Sequence, residues 1–224
     1  RCLCARQNRA RRGRRSDMLK TKIAVLISGG GTNLQAIIDF AKSGGLKSGE
    51  LALVVSDKAG AYGLTRAEKA SIPTLVIAAD KSLEITARKA KFEAELQSAL
   101  EAAGIEMIVL AGFMRILSAD FVSKWENRII NVHPSLIPSF CGEGFYGLKV
   151  HEAALAYGVK VTGATVHFVN EVPDGGSIIY QKAVEIKDGD TAETLQRRVM
   201  EEAEWKLLPA ACEYVANLIM ERKI

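Results

Sequence analysis

Short aliphatic runs alternate with longer stretches along the chain, and the two differ in the spacing of their apolar positions. The short runs are nearly continuous, which is typical of strands buried on both faces, and they read KIAVLIS, ELALVVS, PTLVIA, EMIVLAG and RIINV. The stretches between them have helical spacing and include NLQAIIDFAKSG, GLTRAEKAS and LEITARKAKFEAELQSALEAAG. This alternation predicts βαβ units and a parallel sheet.

The rest of the chain adds a helix, two strands and a long terminal helix. These segments read VHEAALAYG, TGATVHFVN, SIIYQKAVEI and TAETLQRRVMEEAEWKLLPAACEYVANLIM. Asp190 and Glu193 are expected to cap the last helix. No repeat or Pro/Gly linker divides the sequence, which therefore predicts a single doubly wound α/β domain. In such domains, ligands bind beyond the carboxyl ends of the strands.

The composition is that of a globular protein with a basic N-terminal segment. Of the 224 residues, 48% are apolar, enough for one domain core. The formal charge of +4 arises in residues 1–17, which hold seven arginines and one aspartate and leave 23 basic and 25 acidic residues from Met18 onward. We expect residues 1–17 to be a disordered tail and residues 18–224 to be the catalytic domain. A nucleic-acid arm and a transit-peptide fragment are the alternatives for the tail.

The lengths of the apolar runs and the spacing of the cysteines indicate where the protein acts and whether it binds a metal. No apolar run approaches the roughly 18 residues of a membrane span, so we expect a cytoplasmic protein without a membrane partner. The cysteines form no C-x-x-C pair, which favours neither a zinc site nor a disulfide framework, so no metal is expected. Cys141 follows His133 closely enough for a Cys–His pair, but nothing in the sequence activates the thiol.

A glycine-rich turn, SGGGTNLQ, joins the first predicted strand to a helix. Gly30 and Gly31 allow close backbone approach, and Thr32 or Asn33 caps a helix whose free N–H groups favour an anion. The dinucleotide pattern G-x-G-x-x-G fails at Leu34, and no P-loop lysine follows. The turn therefore favours a monophosphate, and the alternative is a turn that only links strand to helix.

The fourth predicted strand runs into AGFMRIL, residues 111–117. An apolar loop with one arginine at the carboxyl edge of a sheet suits a flat heteroaromatic ligand. The residues alone favour a simpler interpretation, the ordinary core packing of Phe113, Ile116 and Leu117.

Asn131 and His133 end the fifth predicted strand and project to the same face because they are two residues apart. An amide and an imidazolium both donate hydrogen bonds to a developing oxyanion, which suits acyl transfer. Asp174, in VPDGGSII, is the candidate carboxylate that sets the imidazole charge and moves a proton. The alternatives are a core histidine at 133 and a simple turn residue at 174.

Four segments, in order, resemble the folate-dependent phosphoribosylglycinamide formyltransferase family: VLISGGGTNLQAII, VLAGFMRIL, NVHPSLIPSF and GATVHFVNEVPDGGSII. The resemblance implies a seven-stranded, mostly parallel sheet and transfer of a formyl group from 10-formyltetrahydrofolate, the co-substrate, to phosphoribosylglycinamide. It also implies small-molecule substrates, no metal and no nucleic acid, in a monomer or homodimer.

The resemblance assigns site residues by position. It implies a catalytic trio of Asn131, His133 and Asp174. It implies a site for the phosphoribosyl substrate at Gly30, Gly31, Thr32, Asn33 and Glu204. It implies a folate site at Lys89, Met114, Arg115, Ile116, Leu117 and Asn131. In the implied mechanism, protonated His133 and Asn131 stabilise the oxyanion, while Asp174 raises the pKa of His133 and relays a proton to the folate nitrogen.

Three departures from the family pattern affect these assignments. The loop SFCGEGFYGLKVHEAAL is longer and richer in glycine, Pro173 precedes Asp174, and Glu201 stands where the family often has a phosphate-binding lysine. A deformylase that hydrolyses the same folate is the alternative enzyme. A non-enzymatic phosphate-binding module is the remaining alternative.

Overall fold

A computed structural model describes residues 20–224, so the predicted tail over residues 1–17 lies outside the described part of the chain. Its strands are β1 (Thr21–Ile27), β2 (Gly49–Ser56), β3 (Thr74–Val76), β4 (Met107–Leu110), β5 (Ile129–His133), β6 (Val161–Phe168) and β7 (Ile178–Glu185). Its helices are α1 (Thr32–Lys42), α2 (Tyr62–Lys69), α3 (Ile85–Ala102), α4 (Ala119–Ser123), α5 (Leu148–Tyr157), α6 (Ala192–Val199) and α7 (Trp205–Met220).

The strands form one sheet in the order β3-β2-β1-β4-β5-β6-β7. The first five strands of this order pair in parallel, whereas β6 pairs antiparallel with β5 and with β7. The prediction of a seven-stranded, mostly parallel sheet is therefore confirmed. The strand order reverses between β1 and β4, and this reversal opens a crevice at the carboxyl edge of the sheet.

Helices cover both faces of the sheet, and alternate residues of each central strand bury against one layer or the other. In β1, Ile23, Val25 and Ile27 pack in the cluster that contains residues of α1 and α7. Ala24 and Leu26 pack in the cluster that contains residues of α3. Burial on both faces explains the continuous apolar runs of the sequence.

The C-terminal region differs from the single long helix that the sequence predicts. A π-helical turn over Met200–Glu204 separates α6 from α7, and π-helical turns occur often at functional sites. The predicted capping pair is also wrong: Thr191 is the N-cap, and it exchanges hydrogen bonds with Thr194. Asp190 instead forms an ion pair with Arg198. Within residues 20–224, no helix is both long and apolar enough to cross a membrane.

Candidate active site

The carboxyl ends of β4 and β5 open onto a cavity of about 800 Å³, which Asn33 of α1 also lines. Its wall includes residues 112–117 after β4, residues 131–134 of β5 and beyond, the loop 142–147, and residues 169–174 between β6 and β7. Because the carboxyl ends of parallel strands meet at one edge, the segments that follow β4 and β5 come together there, and the turn that carries Asp174 joins them. The cavity lies within the size range of small-molecule sites, which is roughly 300–1,000 Å³.

Asn131 and His133 lie on the same face of β5, as their spacing predicts, and both line the cavity. His133 is buried, and its Nε2 atom donates a hydrogen bond to the carbonyl oxygen of Phe140 (2.8 Å). A carbonyl only accepts hydrogen bonds, so this contact places a proton on Nε2. The second ring nitrogen, Nδ1, faces Asp174 at 3.4 Å from Oδ2.

Asp174 follows Pro173 in a tight turn, in which Gly175 N–H donates to the carbonyl oxygen of Val172 (2.9 Å). Proline suits the second position of such a turn, and Asp174 occupies the third with φ +55°, a left-handed conformation that aspartate tolerates. Its Oδ2 atom also accepts a hydrogen bond from Gly142 N–H (2.9 Å). The loop 142–147 is thereby tied to the candidate catalytic carboxylate.

His167 joins this group, although sequence reasoning gave it no role. In the antiparallel register of β5 and β6, it stands opposite Asn131. Its Nδ1 atom donates to the carbonyl oxygen of Phe168 (2.8 Å), so in the neutral ring Nε2 accepts from Asn131 Nδ2 (3.2 Å). Nε2 also lies 3.5 Å from Asp174 Oδ1. Only the strand register reveals this position, because the histidine otherwise reads as one polar residue in an apolar strand.

Burial and the neighbouring charges and hydrogen bonds shift the pKa values of His133 and Asp174 in opposite directions. Burial lowers the pKa of His133, and this effect exceeds the upward effects of Asp174 and of the Phe140 carbonyl. The expected upward effect of Asp174 on the pKa of His133 is therefore present, but burial outweighs it. Burial by itself raises the pKa of Asp174, but the neighbouring His167, the charge of His133 and Gly142 N–H outweigh it and lower the pKa.

The glycine-rich turn packs tightly against the start of α2. Gly31 has φ +70° and is the N-cap of α1, so the prediction that Thr32 or Asn33 caps this helix is wrong. A Cβ atom on Gly31 would lie 2.6 Å from the Cα atom of Gly63, which requires glycine there. Asn33 lines the cavity, whereas Gly30, Gly31 and Thr32 do not.

Glu204, at the end of the π-helical turn, meets Asn33 inside the cavity wall. Asn33 Nδ2 donates to Glu204 Oε2 (2.6 Å), and burial raises the pKa of Glu204 to about 7. The Oδ1 atom of Asn33 is buried and, within residues 20–224, has no hydrogen-bond partner. Glu201 lies outside the cavity lining and forms an exposed ion pair with Arg197 (2.8 Å).

The segment after β4 lines the cavity with both backbone and apolar side chains. Met114 N–H donates to Ser28 Oγ (3.0 Å), which ties this segment to the end of β1. Met114 and Ile116 remain 50% and 62% exposed. Core packing, the interpretation favoured by the residues alone, therefore holds for Leu117 but not for Ile116.

Lys89 does not reach the main cavity. It lies on α3 in a smaller adjoining cleft of about 260 Å³, whose lining shares Arg115, Ile116 and Leu117 with the main cavity. The suggested Cys–His pair is not supported, because Cys141 Sγ donates to the Pro138 carbonyl (3.3 Å) and burial raises the pKa of the thiol. Within residues 20–224, no group of three or more His, Cys, Asp or Glu side chains is arranged to hold a metal ion.

Comparisons with known proteins place this arrangement in context. The family model described as formyl transferase matches residues 21–212. The chain is 50% identical over 198 residues to the trifunctional purine biosynthetic protein adenosine-3 of Gallus gallus, covering 88% of this chain and 19% of that protein. It therefore spans about a fifth of the length of that relative. It is 39% identical over 193 residues to phosphoribosylglycinamide formyltransferase of Haemophilus influenzae, with 86% of each covered.

Solved structures give the same picture. Glycinamide ribonucleotide transformylase 1 from Symbiobacterium toebii matches with a TM-score of 0.79 and 43% identity, over 88% of both chains. A formyltetrahydrofolate deformylase from Pseudomonas syringae matches with a TM-score of 0.73 and 26% identity, over 88% of this chain and 62% of that one. Identity is therefore higher to the transformylase than to the deformylase.

Proposed function

Because this chain belongs to the formyl transferase family, we propose that it transfers the formyl group of 10-formyltetrahydrofolate to the amine of 5'-phosphoribosylglycinamide, in purine biosynthesis. The observation that carries the proposal is the meeting of Asn131, His133, Asp174 and His167 at one wall of the cavity. We assign the reaction to the catalytic domain predicted over residues 18–224.

Two substrates meet in one cavity of about 800 Å³, so proximity supplies much of the rate. The glycinamide amine attacks the formyl carbon, and negative charge develops on the formyl oxygen. Asn131 and protonated His133 donate hydrogen bonds to that oxygen. For His133 Nε2 to do so, the formyl oxygen replaces the carbonyl of Phe140 as its hydrogen-bond acceptor.

Asp174 stabilises the charged form of His133 through Nδ1. It also relays the proton that the attacking amine loses to the folate nitrogen, which takes up that proton as its bond to the formyl carbon breaks. Binding of the substrates removes the Phe140 contact and brings a developing negative charge beside the ring. That charge adds to Asp174 and opposes the effect of burial on the pKa of His133. In its neutral form, His167 holds the Asn131 amide through Nε2. In its protonated form, the same nitrogen donates to Asp174 instead.

The phosphate of the ribotide binds between the glycine-rich turn and Glu204. The backbone N–H groups that begin α1 favour an anion. With a pKa of about 7, Glu204 is partly protonated near neutral pH, and its neutral form donates a hydrogen bond to phosphate instead of repelling it. This property supports Asn33 and Glu204 as phosphate-site residues, with Gly30, Gly31 and Thr32 supplying the turn.

The folate binds along residues 112–117. Backbone groups of this segment hydrogen-bond the pterin, while Met114, Ile116 and Leu117 supply apolar contact. Arg115 lines both the cavity and the smaller cleft, and Lys89 lines the cleft, so both are placed for the carboxylates of the folate glutamate.

The test measures the absorbance of the folate product with and without the ribotide acceptor. Product formed only with acceptor supports transfer. Product formed without acceptor indicates the deformylase reaction, and no product in either case indicates a phosphate-binding module. The higher identity to transformylases supports transfer over hydrolysis.

We further expect the protein to act in the cytoplasm on small molecules, without nucleic acid or membrane as partner. We expect a monomer or homodimer, which light scattering distinguishes.

A further inference from the structure

Arg115 is held at two points of its guanidinium group. Its Nε atom donates to Asp57 Oδ2 (3.0 Å), and its central carbon lies 4.6 Å from the centroid of the Phe92 ring. The hydrogen bond fixes one edge of the planar group, and the ring fixes one face. The direction of the two terminal nitrogens is thereby set.

Asp57 follows the last residue of β2 at the carboxyl edge of the sheet, and its side chain is 6% exposed. Its Oδ1 atom is buried and, among the described residues 20–224, has no hydrogen-bond partner. Burying a carboxylate that makes so few hydrogen bonds is costly. Its partner Arg115 keeps a side chain that is 30% exposed, so the ion pair adds little net stability in return. The pair therefore needs an explanation other than stability of the fold.

The terminal nitrogens of Arg115 make no hydrogen bond within residues 20–224, because the only hydrogen bond of this guanidinium there is the one from Nε. The neighbouring Arg88 is different, since its donors bind the carbonyls of Asp80, Lys81 and Leu83. Arg115 lines both the main cavity and the smaller cleft. It therefore keeps a free pair of parallel donors, the geometry that binds a carboxylate in bidentate fashion.

We propose that Asp57 is a positioning residue for folate binding: by holding Nε of Arg115, it directs the terminal guanidinium nitrogens towards a carboxylate of the folate glutamate. This inference rests on the proposed function, because the folate is the ligand. Asp57 acts through Arg115 and does not touch the substrate.

A competing effect has the opposite sign. A negative charge beside Arg115 also screens its positive charge and would weaken the attraction for an anion. If positioning dominates, removing Asp57 weakens folate binding; if screening dominates, removing Asp57 tightens it.

The test is calorimetric titration of the full chain with tetrahydrofolate and with tetrahydropteroate, which lacks the glutamate. Asp57→Ala is expected to weaken tetrahydrofolate binding about tenfold, as loss of an oriented charged hydrogen bond does, and to leave tetrahydropteroate binding unchanged. Asp57→Asn keeps an acceptor oxygen for Nε and is expected to recover most of the loss. In an Arg115→Ala background, Asp57→Ala is expected to have no further effect.

The matched control is Asp80→Ala, which removes a half-buried carboxylate paired with Lys91 at the same 3.0 Å. It is expected to change neither affinity. If Asp57→Ala does not fold, Asp57→Ser gives the same expectation, because its hydroxyl is too short to reach Nε.

Unchanged or tighter tetrahydrofolate binding by the folded Asp57 variant overturns the inference, and so does an equal loss for tetrahydropteroate. A wild-type protein that binds tetrahydrofolate but transfers no formyl group contradicts the proposed function. The role of Asp57 is then still decided by comparing the tetrahydrofolate affinities of wild type and the Asp57 variant. A wild-type protein that does not bind tetrahydrofolate contradicts both.

Discussion

His167 stands opposite Asn131 across the β5–β6 ladder, with its Nε2 atom 3.2 Å from the Asn131 amide nitrogen. The same ring nitrogen lies 3.5 Å from Asp174. One buried histidine therefore lies beside two candidate catalytic residues from different elements. The contact fixes the direction of the Asn131 amide, which decides whether its second N–H can reach a substrate oxygen.

His167→Ala is expected to lower kcat about 10- to 100-fold, the effect of losing a hydrogen bond to a charged or polar partner worth about 1.5–3 kcal/mol. The KM values for both substrates should change little, because His167 orients catalytic groups and is not proposed to hold either ligand. Steady-state kinetics checks this, with thermal unfolding as the control for folding. A rise in KM alone, with kcat intact, would contradict the assignment.

His133→Ala and Asn131→Ala are each expected to fold normally and to lose on the order of 10²- to 10³-fold in turnover, since each removes one donor to the oxyanion. Formyl transfer under saturating substrates measures the loss, and circular dichroism checks the fold. Near-normal turnover by either folded variant would refute the oxyanion role of that residue.

Glu204 makes ribotide binding depend on pH. Its pKa of about 7 means that the neutral carboxyl is lost as pH rises through 7, and the carboxylate that forms repels phosphate. The KM for the ribotide should therefore rise between about pH 6 and 8. Glu204→Gln stays neutral and should show a flatter profile. Dividing the ribotide KM of wild type by that of Glu204→Gln at each pH cancels the effect of the substrate's own ionisation. A ratio that does not change with pH would contradict the prediction.

His151, on α5, should make the fold sensitive to acid. It is fully buried, and its two ring nitrogens have no hydrogen-bond partner within residues 20–224. Burial, together with the nearby charge of His133, lowers its pKa from 6.5 to about 4. The unfolded chain thus binds this proton below about pH 6.5 and the folded chain only below about pH 4. Stability falls as pH decreases through this window, by about 3 kcal/mol at most.

Urea unfolding of wild type and His151→Leu between pH 4 and 7.5 measures this contribution. The variant should lose less stability on acidification than wild type. Glu204 has the opposite slope, because its raised pKa makes the folded state bind more protons between about pH 4.5 and 7. Both proteins contain Glu204, so subtracting their free energies of unfolding at each pH cancels its contribution. Glu152→Gln, an exposed change on the same helix, is the control and should parallel wild type.

Local sequence patterns give the wrong structure in two places, the segment 112–117 after β4 and the C-terminal helical region. Ile116 belongs to an apolar run that reads as core, yet it is 62% exposed and lines the cavity, because β4 ends at Leu110 and the segment after it lies outside the sheet. The terminal segment reads as one helix because its apolar spacing is nearly continuous, whereas the π-helical turn brings Glu204 to the cavity wall. In both cases packing against distant residues overrides the local preference.

The sequence by itself determined the central strands β1, β4 and β5, since burial on two faces demands continuous apolar runs. It also determined that Asn131 and His133 share a face, since side chains alternate along a strand. Tertiary structure alone decided that His167 meets Asn131 and that Asp57 holds Arg115. It also decided the pKa of His133, which burial lowers by more than Asp174 raises it. Strand register and burial depend on contacts between residues far apart in the chain, and local sequence patterns carry no record of those contacts.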